Sequence, residues 1–384
     1  MASPWKSAWT LRPGVTYLNH GSFGPSPHAV REAQRRWSDE LESDPMDFFV
    51  HRLERCLAET RDRLAKFVGC AAADLLLLDN ATVAMNLVAR AVELRAGDEV
   101  LLTDHEYGAV ERIWRTTCER VGARVVIQPL PLPLEDPDEV VRALFAGVTD
   151  RTRLVVFSHI SSPTAVILPA RQICAEARRR ELPVCIDGPH AVAMLPLELR
   201  ELDCDFYCAS CHKWLSAPFG SGFCYVHPRR RATIQPLAIS WGETPGGTPS
   251  WQGEFDWMGT RDPSANLSIP AAIDFLERDV GLEAFRSSTH ALAQYARGQL
   301  LQLGRQPPLT ADDLGWYGSM VSVPIAPGDA HALQERLWHE HRIEALVKSW
   351  QGRRLVRVSC HLYNDERDVE RLLDALRRIE REPR

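Results

Sequence analysis

The sequence predicts an α/β protein, with a large and mostly parallel sheet covered on both faces by helices and a smaller α+β region after it. Three observations predict this. Short runs such as Leu75-Leu76-Leu77-Leu78, Leu154-Val155-Val156-Phe157 and Val184-Cys185-Ile186 are apolar throughout, the pattern of strands buried on both faces. Amphipathic stretches of helical period separate them, as in successive β-α units. The chain has 384 residues, 45% of them hydrophobic, enough to build more than one lobe.

Taken in order, residues 1–25 read as an irregular arm ending in the turn Asn19-His20-Gly21-Ser22-Phe23-Gly24-Pro25. A long helical pattern runs from about residue 27 to 67. A break is expected near Asp44-Pro45, because a proline disfavours helix at the residue before it. The strand 75–78 leads through Asp79-Asn80-Ala81-Thr82 into a helix ending near Ala91. Strand 99–103 precedes a helix from about Val110, and strand 124–127 precedes one near 138–145. Strand 154–157 is followed by a helix around 171–180. Strands are also expected at 184–186, 206–208 and 223–226. Residues 228–262 are rich in Gly, Pro and Trp and read as a long functional loop. A helix near 270–278 and strands at 318–323 and 355–359 belong to the smaller region. The expected division is an arm (1–25), a large domain (26–262) and a small C-terminal domain (263–384).

The formal charge of −6 and the pI near 6.1 argue against nucleic acid as a partner. The basic run Arg229-Arg230-Arg231 reads as a solvated helix start. Of ten cysteines, only Cys208 and Cys211 form a Cys-x-x-Cys. No second pair at zinc-ribbon spacing accompanies it, and most of the others lie in apolar runs. No metal site is expected. The start, Met1-Ala2-Ser3-Pro4-Trp5-Lys6, shows no signal peptide, and no apolar window is long enough to span a membrane. A reducing cytoplasm is the expected compartment.

Chemistry concentrates at the strand ends. Lys213 follows the strand at 206–208 in Ser210-Cys211-His212-Lys213-Trp214, and Asp187 ends the strand Val184-Cys185-Ile186. A lysine and a carboxylate at the ends of neighbouring strands suit pyridoxal phosphate: the lysine carries the cofactor as a Schiff base, and the acid keeps its ring nitrogen protonated. An ionised Asp187 in so apolar a strand needs a donor or cationic partner. Asn80-Ala81-Thr82 opens a helix after a strand and offers free N–H groups, the positive end of the helix dipole and a hydroxyl to a phosphate. Ser210 and His212 are further donors for it. His190 lies on the Asp187 turn, within reach of a ring hydroxyl. In Thr103-Asp104-His105-Glu106-Tyr107, either His105 or Tyr107 would serve to stack on the cofactor. Ser161-Ser162-Pro163-Thr164 follows another strand of the same edge, where open α/β sheets bind ligands.

These motifs resemble, in order, those of class V, fold-type I pyridoxal phosphate enzymes, and most of all the isopenicillin N epimerase-like branch. Those that carry the resemblance are residues 17–24 (Tyr-Leu-Asn-His-Gly-Ser-Phe-Gly), 103–109, 158–165, Asp187-Gly188-Pro189-His190, 210–214, 257–262 (Trp-Met-Gly-Thr-Arg-Asp) and 357–364 (Arg-Val-Ser-Cys-His-Leu-Tyr-Asn). The resemblance implies that Lys213 holds the cofactor and shuttles protons at the substrate Cα, with Asp187 on the ring nitrogen and His190 beside the ring oxygen. It further implies His105 as the stacking residue and Ala81, Thr82, Ser210 and His212 as phosphate contacts. Gly259 and Thr260 match a loop that reaches the phosphate of a second subunit, which implies a homodimer. Arg357 matches the clamp for a substrate α-carboxylate, with Asn19, His20, Gly21 and Ser162 bordering the substrate. The implied substrate is an amino acid or a derivative of one.

The expected reaction is epimerisation or racemisation, with Tyr107 as the second acid or base. The alternative is C–S lysis by β-elimination from a substituted cysteine or cysteine sulfoxide; transamination ranks lower. Desulfurases of this class carry a nucleophilic cysteine on a loop shortly before the carboxylate arginine, and residues 341–356 contain none. A non-catalytic cofactor-binding protein is disfavoured, because Lys213, Asp187 and Arg357 are all present.

Overall fold

The computed structural model describes residues 3–241 and 251–381. Residues 242–250 of the expected long loop lie outside that range. The described strands are β1 (Thr16–Tyr17), β2 (Leu75–Leu78), β3 (Glu99–Thr103), β4 (Arg124–Gln128), β5 (Thr152–Ser158), β6 (Val184–Asp187), β7 (Phe206–Ser210) and β8 (Gly222–Val226), followed by β9 (Met320–Ile325), β10 (Ile343–Glu344), β11 (Leu346–Trp350) and β12 (Arg353–Ser359). Seven form one sheet in the order β2-β8-β7-β6-β5-β3-β4. Only β8 runs against its neighbours in this sheet, so the fold class is the expected one. Every residue of β2, β3, β6, β7 and β8 is buried, which explains why these segments carry no polar alternation.

Helices cover both faces. Among them are α1 (His28–Ser43), α2 (Leu53–Val68), α3 (Ala81–Ala91), α4 (Gly108–Val121), α5 (Pro137–Phe145) and α6 (Ala170–Arg179). The expected break near Asp44-Pro45 occurs: α1 stops at Ser43, and the Asp44 side chain caps a new turn beginning at Pro45. Leu76, Leu102, Val156 and Cys185 pack under α3 and α4 with Met85 and Trp114. Leu75, Leu77, Leu101, Val155 and Ile186 point to the other face and join a larger core that continues into the C-terminal region. The strands thus contribute alternate residues to two cores.

The C-terminal region pairs β11-β12-β9 antiparallel and adds α7 (Leu282–Gly304), α8 (Ala330–His341) and α9 (Glu366–Arg381). The amino-terminal arm joins it by pairing: β1 runs parallel to β10, and Asn19 bridges to Ser359 at the end of β12. The basic run becomes a short 3-10 turn whose charges are matched locally. Arg229 and Arg230 pair with Asp205 at 2.8 and 2.7 Å, and Arg231 pairs with Asp74. Cys208 and Cys211 are buried, and burial raises both thiols above their ordinary range. That opposes the thiolate which metal binding or thiol exchange requires.

Candidate active site

A cleft of about 540 Å³ opens at the C-terminal ends of the parallel strands, within the usual size of small-molecule sites. Its lining includes Gly21, Ala81, Thr82, Tyr107, Ser162, Asp187, His190, Ser210, His212 and Lys213. Segments more than a hundred residues apart meet here because β7, β6, β5 and β3 all end at the same edge.

The β2–α3 turn forms one end. Asn80 caps α3 by accepting from the Val83 N–H at 3.0 Å, and Ser210 Oγ accepts from the Ala81 N–H at 2.8 Å. The Ser210 hydroxyl hydrogen is therefore left for another acceptor. Gly222 on β8 permits this approach, since a Cβ there would stand 2.8 Å from the Asn80 Cα. His212 Nδ1 is buried without a partner. A helix N-terminus, an uncommitted hydroxyl and an orphaned imidazole nitrogen together fit a phosphate group.

Asp187 and Lys213 face the middle of the cleft from adjacent strands. Burial raises the Asp187 carboxyl and the Lys213 ammonium opposes it, while burial lowers the Lys213 amine and Asp187 opposes it. Lys213 Nζ lies 3.1 Å from His190 Nε2. The His190 Nδ1 accepts from the Trp214 indole N–H at 3.2 Å.

Arg357 of β12 is buried behind the opposite wall. Its Nη1 donates to the Ser162 carbonyl at 2.8 Å and to the Ser162 hydroxyl at 3.2 Å. Its Nη2 donates to Asn19 Oδ1 at 3.1 Å and to Ser22 Oγ at 2.6 Å. Its Nε is buried and unpartnered. Burial lowers this guanidinium to about 10, and it still carries its charge near neutrality. Ser22 and Ser162 line the cleft in front of it.

Two residues fall elsewhere than expected. His105, expected to stack on the cofactor, has no exposed surface and does not line the cleft. Its Nδ1 bonds Thr164 Oγ1 at 2.8 Å, and its ring packs on Trp350 of β11 at 4.7 Å between centroids. The C-terminal region seals over it, and burial lowers it to about 3. Tyr107, two residues on and just before α4, is the aromatic ring at the cleft, nearly half exposed. His20, expected at the entrance, is also fully buried. Its Nε2 donates to the Lys213 carbonyl at 2.9 Å, its Nδ1 accepts from the Tyr363 hydroxyl at 2.9 Å, and its ring stacks on His361 at 3.7 Å. It supports the backbone of the lysine from beneath. Gly259 and Thr260 lie outside the cleft of their own chain; Gly259 lines a separate small cavity with Phe49, Leu53 and Arg261.

Three residues were not singled out from the sequence. Ser22 and Trp214 stand inside recognised motifs, but only geometry gives them contacts with Arg357 and His190. Glu106 is a buried carboxyl accepting from Thr103 Oγ1 at 2.6 Å and from the Ser158 N–H and hydroxyl at 3.1 and 2.7 Å. Ser158 is in register with Asp187. An acid three residues past the end of a buried strand was the available signal.

Residues 17–372 match the model of the family described as aminotransferase class-V. The chain belongs to that family. It is a pyridoxal phosphate-dependent enzyme. The isopenicillin N epimerase of Streptomyces clavuligerus is 37% identical over 95% of both chains, and that of Amycolatopsis lactamdurans is 38% identical over 99% of both. A putative L-cysteine desulfhydrase of Oryza sativa subsp. japonica is 31% identical over 95% of this chain and 83% of its own. Among solved structures, the cystine C–S lyase C-DES in complex with its reaction product cysteine persulfide superposes with a TM-score of 0.81 at 24% identity, covering 95% of this chain and 97% of that one. This last likeness concerns the fold. Among the described residues no helix is long and apolar enough to cross a membrane.

Proposed function

We propose that this chain inverts the α-carbon of an amino-acid-derived small molecule, as an isopenicillin N epimerase-like enzyme. The observation that carries this reading is the presence of two proton-handling side chains, Lys213 and Tyr107, in one cleft whose strands β7 and β3 are separated by β6 and β5. Inversion needs one group to take the α-proton and another to return a proton on the opposite face. The near-full-length likeness to two epimerases supports the same reading.

Pyridoxal phosphate, when bound, supplies an electron sink that makes the substrate Cα–H acidic. The residues do the rest. Ala81, Thr82, Ser210 and His212 would hold the phosphate. Asp187 would keep a proton on the ring nitrogen, and His190 would interact with the ring oxygen. Lys213 would anchor the cofactor and move the α-proton on one face, and Tyr107 would serve the other. Arg357, presented by Asn19, Ser22 and Ser162, orients the substrate carboxylate. Gly259 and Thr260 reach the phosphate of a second copy in a homodimer, and the enzyme works in the cytoplasm.

The test is incubation with amino acids and short peptides in deuterated water. Deuterium at Cα with loss of optical purity supports inversion. The second reading, C–S lysis, draws support from the desulfhydrase relative. Pyruvate and ammonia from S-substituted cysteines, with no inversion of any substrate, would replace the first reading by the second. In neither case does Cys360 serve as a persulfide carrier: it is buried, and burial raises its thiol.

A further inference from the structure

The contact between Trp214 and His190 restricts the protonation of Lys213. An indole N–H only donates. The Trp214 ring is wholly buried, and its Nε1 donates to His190 Nδ1 at 3.2 Å. That nitrogen must therefore present a lone pair. His190 is itself buried, and burial holds it well below its ordinary range, so it is neutral. A neutral imidazole with a bare Nδ1 carries its proton on Nε2. Nε2 is the atom 3.1 Å from Lys213 Nζ. An ammonium there would set two donors against each other, whereas a free amine offers the lone pair that the Nε2–H needs.

We propose that Trp214 is a positioning residue: its indole N–H fixes His190 in the tautomer that donates from Nε2, and this donor biases Lys213 toward the uncharged amine that captures the cofactor. The inference rests on the reading of Lys213 as the cofactor's anchor. In the capture, the amine lone pair forms the new C=N bond, and the aldehyde oxygen leaves as water with the two amine hydrogens. A protonated lysine has no lone pair for this step. Other groups also bear on the pair. Asp187 favours the ammonium and Arg357 opposes it, while His212, His20 and Arg357 all disfavour a charged His190. The tautomer lock thus acts against the pull of Asp187.

The direct test is nitrogen-15 NMR of histidine-labelled protein stripped of cofactor, with the His190 signals assigned by their loss in His190→Gln. An unprotonated Nδ1 and a protonated Nε2 at neutral pH are expected; a protonated Nδ1 overturns the proposal. The second test is the rate at which the stripped protein regains visible cofactor absorption when mixed with pyridoxal phosphate. Trp214→Phe is expected to slow this about tenfold at neutral pH, equivalent to a rise of about one unit in the lysine's pKa, and to be rescued at higher pH. A glutamine at 190 donates from its amide whatever its neighbour. Trp214→Phe in the His190→Gln background should therefore change the rate by less than about twofold. An equal slowing in both backgrounds means that the indole only fills space, and the proposal falls. If Trp214→Phe does not fold, the NMR result alone decides. Lys213→Ala separates the two levels: cofactor absorption that survives this change refutes the anchor reading, whatever the tautomer of His190.

Discussion

The two walls of the cleft are built differently. The wall carrying Asp187, His190, Ser210, His212 and Lys213 comes from the adjacent strands β6 and β7 and the turns that leave them. Main-chain pairing between Cys185 and Phe206, and between Asp187 and Cys208, sets its geometry. The wall carrying Arg357 is assembled from the amino-terminal arm, the segment after β5 and β12 of the C-terminal region. Side-chain hydrogen bonds join those parts. A wall set by a sheet is stiff and sparing of side chains; a wall set by side chains loses alignment when any partner is lost. His20 links the two, with its ring stacked on His361 and its Nε2–H on the Lys213 carbonyl. Gly24 keeps that junction tight, since a Cβ there would meet the His212 carbonyl at 2.5 Å.

The sharpest test of the sheet wall is Lys213→Ala, expected to remove the visible cofactor absorption and lower turnover by about 10⁴-fold. Unchanged absorption would break the assignment. Asp187→Asn should lower kcat by roughly 10²- to 10³-fold while the protein still takes up cofactor, because the lost charge acts on the reacting system rather than on folding. On the other wall, Arg357→Lys keeps the charge and loses the planar fork. It should raise KM by about thirtyfold with a smaller fall in kcat; a change confined to kcat would move Arg357 out of substrate binding.

The junction is tested by acid. Burial lowers His20 from 6.5 to about 3 and, on the sheet side, His159 from 6.5 to about 4. The unfolded chain therefore binds protons that the folded chain excludes. The stability that these neutral histidines contribute is complete above their ordinary value near 6.5 and is lost as the pH falls toward the folded values. Each should remove about 2 kcal/mol by pH 5, seen as a falling Tm between pH 7 and 5. A flat Tm over that interval, in wild type and in His20→Asn alike, would refute neutral burial. The smallest effect belongs to Ser22→Ala. Arg357 retains its Asn19 and Ser162 acceptors, so KM should rise by only about fivefold. A larger loss would make Ser22 the principal support of the arginine.

Legibility followed the same division. The strands 75–78 and 184–186 were readable because burial on both faces leaves only apolar residues there, and 99–103 was readable from its apolar centre Val100-Leu101-Leu102. Lys213, Asp187, Ser210 and His212 were readable because each lies within a few residues of such a strand end. On the residues themselves, either His105 or Tyr107 could face the cleft; the resemblance favoured His105, and Tyr107 is the one that lines it. Nothing local to residues 103–107 reveals that Trp350, far along the chain, packs over His105 and leaves Tyr107 facing the cleft. Ser22 was passed over for an equivalent reason: its hydroxyl acquires a role only when β12 brings Arg357 to it.

By itself, the sequence determined the α/β class and the cofactor, and it pointed to the strand-end residues proposed to serve it, because periodicity and short motifs are properties of neighbouring residues. The tertiary structure alone decided which aromatic ring faces the cleft, which hydroxyls hold Arg357, and how Trp214 constrains His190. Those outcomes depend on burial and hydrogen-bond direction between residues brought together only when the sheet, the arm and the C-terminal region close on one another.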